Sequence, residues 1–146
     1  MLESCATVEE AITFYQDHWE PGFAYAKTLI ADRTGASVII GAKDGRLTIE
    51  KRRDSRALGY RGPLAESMLA QNSEPTILNA ARILRASLQE GQYATTYSNV
   101  FDLKTGDIYI YRFPDEPDAI KLSLAEELKK GRHFYDIPKL KDQISH

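Results

Sequence analysis

From Thr95 to Phe113, TTYSNVFDLKTGDIYIYRF, residues fall alternately on two faces, with apolar side chains on both. Tyr97, Asn99, Phe101 and Leu103 fall on one face of a first strand, and Thr96, Ser98, Val100 and Asp102 on the other. Lys104-Thr105-Gly106-Asp107 is the turn, after which Ile108, Ile110 and Arg112 alternate with Tyr109, Tyr111 and Phe113. The pattern predicts a β-hairpin. Aromatic and β-branched residues crowd both faces, which predicts a strand pair covered on both sides, inside a layered domain and not at its edge.

The rest of the chain reads in the same terms. Ala6–Trp19 is a first helix: Val8, Ala11, Ile12, Tyr15 and Trp19 recur at helical spacing, and Thr7 with Glu10 forms a capping box. Pro21-Gly22 ends it. Strands follow at Tyr25–Ala31, Ser37–Gly41 and Arg46–Lys51, joined by Asp32-Arg33-Thr34-Gly35 and the tight Lys43-Asp44-Gly45 turn, an antiparallel meander. Arg52–Ser73 is irregular, with a short helix over Leu64–Leu69.

Thr76–Gln89 is a helix with Pro75 in its first turn, Ser73 or Asn72 as cap, and Gly91 as stop. After the central hairpin come a loop of acids and prolines at Pro114–Asp118 and a short strand at Ala119–Leu122. A last helix is capped by Ser123 with Glu126 as a second capping box, runs through Lys130, and stops at Gly131. The expected class is α+β, antiparallel sheets with helices packed on them, in a single domain or partial domain over residues 1–146.

Composition narrows the function classes. A 42% hydrophobic, 27% charged chain is globular and not disordered. A net charge of −2 gives no electrostatic reason to expect nucleic acid or an anionic membrane as partner. No apolar run is long enough to span a bilayer, and Met1-Leu2-Glu3-Ser4-Cys5 lacks the features of a secretory signal. One cysteine excludes an internal disulfide. A cytoplasmic location is the expectation.

Candidate chemistry is sparse. Cys5 precedes a helix N-terminus, where a thiol is activated, but no histidine stands as an obvious partner, so it reads as a small apolar residue. His18, His133 and His146 are scattered without zinc-ligand spacing, so no metal and no cofactor is expected. Glu9-Glu10 and Glu126-Glu127 lie in first helical turns, where capping and the helix dipole account for them. Lys51-Arg52-Arg53, with Arg56 and Arg61 beyond, is a local basic run at a strand end. The aromatic hairpin lacks the basic surroundings of a base-stacking platform.

ATTYSNVFDLKTGDIYIYRF followed by LAEELKKGRHFYDIPKL resembles the C-terminal part of the acyltransferase and linear-amide hydrolase group within the choloylglycine-hydrolase-like N-terminal-nucleophile proteins. CATVEEAI and LIADRTGASVII resemble an earlier stretch of the same proteins, so the resemblance covers most of the chain in order. It implies half of a four-layer αββα sandwich. The implied chemistry is hydrolysis or transfer of the acyl group of linear, non-peptide amides, as in penicillins and bile-salt conjugates. The nucleophile is an N-terminal cysteine with its own α-amino group as base.

The chain departs from that pattern in places. Cys5 precedes a helix, whereas the family nucleophile opens a strand, and the first arginine after Cys5 is Arg33. Cys5 therefore matches the cysteine before the family's internal helix. The family's Thr-Asn pair, whose asparagine stabilises the oxyanion, is replaced by Arg56-Ala57-Leu58-Gly59-Tyr60, and a glutamate after the second strand by Gly41. Arg61 is the candidate for the family's late catalytic arginine. The resemblance thus implies a fragment or subunit whose nucleophile lies outside these residues, with a small-molecule amide as substrate once assembled with the missing N-terminal half. The alternative is a non-catalytic α+β domain that binds a partner or forms a homo-oligomer.

Overall fold

The computed structural model describes residues 4–113 and 118–144; Met1–Glu3, Ser145, His146 and all but Asp118 of the expected loop at Pro114–Asp118 lie outside the described residues. The class is α+β: the described residues form two three-stranded antiparallel sheets and five α-helices. The chain divides between Tyr60 and Arg61 into two compact units.

In the first unit, helix α1 spans Val8–Asp17. The expected capping box forms: the Glu10 N–H donates to Thr7 Oγ1 at 3.2 Å, and the Thr7 N–H donates to Glu10 Oε2 at 3.0 Å. The Val8 N–H donates to Asp32 Oδ2 at 3.0 Å, tying the helix start to a sheet turn. Hydrogen bonds from the Thr34 hydroxyl and the Val8 N–H hold the Asp32 carboxyl below the usual aspartate range.

Strands β1 (Thr28–Ala31), β2 (Ser37–Lys43) and β3 (Arg46–Arg52) form the meander in that order. Asp44 and Gly45 both take positive φ, 52° and 71°, the backbone a twisted two-residue hairpin requires. Register places Ile30, Val38 and Lys51 in one row and Thr28, Ile40 and Ile49 in the next. Val38 and Ile40 therefore share one face, which packs with Val8, Ile12 and Phe23 as a buried core.

In the second unit, α2 (Gly62–Gln71) and α3 (Ile77–Ala86) form a helical pair. The cap of α3 is Thr76, not the expected Ser73 or Asn72: Thr76 Oγ1 accepts from the Asn79 N–H at 3.1 Å. Asn72 instead accepts from the Glu74 N–H, an Asx turn that shapes the connection. Buried Asn79 donates from Nδ2 to the carbonyls of Asn72 (2.9 Å) and Glu74 (3.1 Å), stapling the loop between the helices. Helix α3 stops at Ala86, short of Gln89, and Gly91 opens a separate single 3-10 turn.

Strands β4 (Tyr97–Asp102), β5 (Asp107–Arg112) and β6 (Ile120–Ser123) make the second sheet in that order. The expected hairpin is β4–β5, with Phe101 opposite Ile108 and Asn99 opposite Ile110. One expectation fails: β4 is an edge strand, and Tyr97, Asn99, Phe101 and Leu103 are exposed. Among the described residues, the sheet face they share is covered toward β5 and β6, where Ile110, Ile120 and Leu122 enclose Leu140. On the opposite face, the Arg85 guanidinium of α3 lies 5.8 Å from the Phe113 ring centre, and Tyr111 is buried. Burial pushes the Tyr111 phenol up.

Helices α4 (Leu124–Lys129) and α5 (Leu140–Ile144) close the described chain. Ser123 caps α4 by position but makes no side-chain capping bond, so the second capping box is absent. Glu126 pairs instead with Lys129 at 2.7 Å, one turn along.

Candidate functional site

Two groupings of charged side chains among the described residues stand out. The first is a pocket of about 310 Å³ in the first unit, lined by Val8, Glu9, Ala36, Ser37, Lys51, Arg52 and Arg53. Strand alternation explains its charge. Lys51 follows Ile49 onto the α1 side of the sheet, and there Nζ meets both carboxylate oxygens of Glu9 at 2.7 Å. Arg52 turns to the other side, where Nη2 lies 3.3 Å from Glu50, while its Nε is buried without a partner. Ser37 donates its hydroxyl hydrogen to the Arg52 carbonyl at 3.1 Å.

These groups supply positive charge and N–H donors. The Ser37 hydroxyl proton is committed to the Arg52 carbonyl. The nearby N-terminus of α1 is already served by Glu10, Asp32 and Thr7. The charges lining the pocket are paired, Lys51 with Glu9 and Arg52 with Glu50.

The second place is on and after α4. Glu127, only 13% exposed, accepts from Lys130 Nζ at 2.8 Å and from the Tyr135 hydroxyl at 2.6 Å, and lies 2.8 Å from His133 Nε2. Lys130 Nζ also donates to Tyr135 Oη at 2.7 Å. His133 Nδ1 sits 2.7 Å from the Gly131 carbonyl, so both ring nitrogens face acceptors and both contacts are hydrogen bonds only in the imidazolium. Gly131, at φ 68°, turns the chain so that this return is possible.

Hydrogen bonds from Lys130, then Tyr135, then His133 pull the Glu127 carboxyl down to about 2. At neutral pH it is an ionised anchor for the segment after α4 and not a proton donor. Capping and the helix dipole were expected to account for Glu127; the three-donor contact is the correction. EELKKGRHFY carries a usable signal, an acid three residues before a lysine and a glycine return that brings His133 and Tyr135 back.

The sign of the pH dependence follows. A carboxyl lowered from 4.5 to about 2 on folding adds stability that is complete above 4.5 and disappears as pH falls through about 2. The urea midpoint of the wild-type protein is expected to drop across that window. Glu127→Gln is expected to start lower at pH 6 and to drop less; equal drops would show that other carboxylates carry the effect.

The other sequence candidates lie apart. Cys5 is half-buried just ahead of the Thr7 cap, and His18 stacks on Phe14 with Nδ1 2.9 Å from the Phe14 carbonyl. Both belong to the first unit. Arg61 is the N-cap residue of α2 in the second unit, half-buried and engaged, without a side-chain capping bond. Arg56 pairs with Asp54 at 3.0 Å. Among the described residues no group of three or more His, Cys, Asp or Glu side chains is placed to hold a metal, and no helix is long and apolar enough to cross a membrane.

Comparisons with protein-family models, with curated proteins and with solved structures return no match.

Proposed function

We propose that this chain is the non-nucleophilic portion of an N-terminal-nucleophile hydrolase or acyltransferase acting on linear amides. The observation that carries the reading is the resemblance of TYSNVFDLKTGDIYIYRF and EELKKGRHFYDIPKL to that family. It is supported by where those stretches fall: the first on a β-hairpin, the second on a helix followed by a tethered return. The α1–meander order over CATVEEAI and LIADRTGASVII agrees with it.

In this reading an N-terminal cysteine outside these residues attacks the amide carbon, and its own amino group takes the thiol proton. The C–N bond then breaks, the amine leaves with that proton, and water or a second amine cleaves the thioester. This chain supplies sheet framework, and Arg61 supplies a cation toward the substrate. A cytoplasmic setting belongs to the same reading.

The test is a pairing experiment. The chain alone is expected to hydrolyse no amide; mixed with a polypeptide bearing the processed cysteine, it is expected to restore hydrolysis. Arg61→Ala should then cut kcat/KM by about 10–100-fold, roughly the loss of one charged contact, while Cys5→Ala leaves it unchanged. Amidase activity of the isolated chain, abolished by Cys5→Ala, would overturn the reading.

A second reading, a non-catalytic domain that binds a partner or itself, is favoured by one observation: the bare β4 edge with its exposed aromatic side chains.

A further inference from the structure

The two sheets present four outer strands, and they are not equivalent. Strands β1 and β6 are four residues long. Strand β3 carries Arg46, Glu50, Lys51 and Arg52, the charges that keep exposed edges from pairing. Strand β4 has six residues, no proline and no charge before Asp102.

Its unpaired main-chain groups can be assigned. The Phe113 N–H donates to the Thr96 carbonyl at 2.9 Å, so alternation turns the groups of Thr96, Ser98, Val100 and Asp102 toward β5. Those of Tyr97, Asn99 and Phe101 point outward. The side chains of the same residues are bare, Tyr97 at 45% and Phe101 at 58% exposure. Among the described residues, an unpaired edge and an exposed apolar strip therefore coincide on β4.

We propose that β4 pairs antiparallel with β4 of a second copy of this chain, about a two-fold axis through Asn99, giving a continuous six-stranded sheet. The sequence is self-complementary in that register. Tyr97 of each copy falls opposite Phe101 of the other, two aromatic cross-strand pairs, and Ser98 falls opposite Val100. Asp102 falls opposite Thr96, so no like charges meet across the seam. The outward N–H and C=O groups of Tyr97, Asn99 and Phe101 are the set that an Asn99-centred pairing joins. The six residues of β4 fall well short of the roughly 20–30 residues a side of a standard interface, so the dimer is reversible and concentration-dependent.

The inference deepens the self-binding reading and is independent of the amide-hydrolase reading. Sedimentation equilibrium of the full chain is expected to show a monomer–dimer equilibrium. Asn99 is exposed, so its replacement leaves the fold intact. Asn99→Lys and Asn99→Asp each place like charges opposite one another and should weaken the dimer several-fold. An equal mixture of the two variants should restore it, because lysine then faces aspartate. A monomer at millimolar concentration, a dimer indifferent to both variants, or a mixture that does not recover would each overturn the proposal. None of these outcomes bears on amidase activity.

Discussion

Ile40→Ala is expected to lower the stability of the first unit by about 2–5 kcal/mol. Ile40 is fully buried in the middle strand, between Thr28 and Ile49, and belongs to the cluster of Val8, Ile12, Phe23 and Val38. Its side chain fills the space between α1 and the meander. Removing three carbons leaves a cavity that helix and sheet cannot both close on, because the capping box and the Asp32 contact fix where the helix begins. A core this small holds only a few kcal/mol in all, so the variant should be largely unfolded at 37 °C. Trp19, the single tryptophan, lies in this unit, and its fluorescence during urea unfolding reads the change directly. Leu29→Ala in the same sheet is the control: at 46% exposure it should cost under about 0.5 kcal/mol. Equal losses for the two would contradict the described core.

Leu140→Ala is the counterpart in the second unit, again about 2–5 kcal/mol. Leu140 is fully buried against Ile110, Ile120 and Leu122, with Ile137 and Ile144 beside it. It comes from a five-residue helix too short to be stable alone, so the apolar contact holds the helix. Losing it should free α5 and expose one face of β5 and β6. Amide hydrogen exchange is expected to quicken at Ile110, Ile120 and Leu122, while the first unit keeps its protection. Leu128→Ala, at 71% exposure on α4, should change neither stability nor exchange. Slow exchange retained on β6 in Leu140→Ala would show that the sheet does not depend on that cover.

Much of the fold was legible because its signals are local. Thr7 and Glu10 are three residues apart and cap α1; Asp44-Gly45 makes the tight turn its chemistry requires; the β4–β5 register follows from alternation. What was not legible depends on distant chain. Apolar residues on both faces of Tyr97–Leu103 look the same whether a neighbour covers them or not, and cover for β4 would have to come from elsewhere. Thr76 displaced Ser73 and Asn72 as cap because Asn79 binds the loop carbonyls and sets the helix start. Ser123 and Glu126 have capping-box spacing, yet Lys129 takes the glutamate. Of the candidate site, the Lys51–Arg53 run was visible, whereas its approach to Glu9 needed the helix laid on the sheet. Arg61 came from family resemblance alone, and its position ahead of α2 follows from Gly62-Pro63 starting that helix.

The central claim is that this chain works with a cysteine it does not itself contain. The direct test is the intact mass of the native protein captured from its own cells, together with whatever co-purifies. A longer chain, or a partner polypeptide that begins with cysteine and forms a thioester with an amide substrate, is the predicted result. A lone 16.5 kDa species that neither recruits such a partner nor gains amidase activity would contradict it.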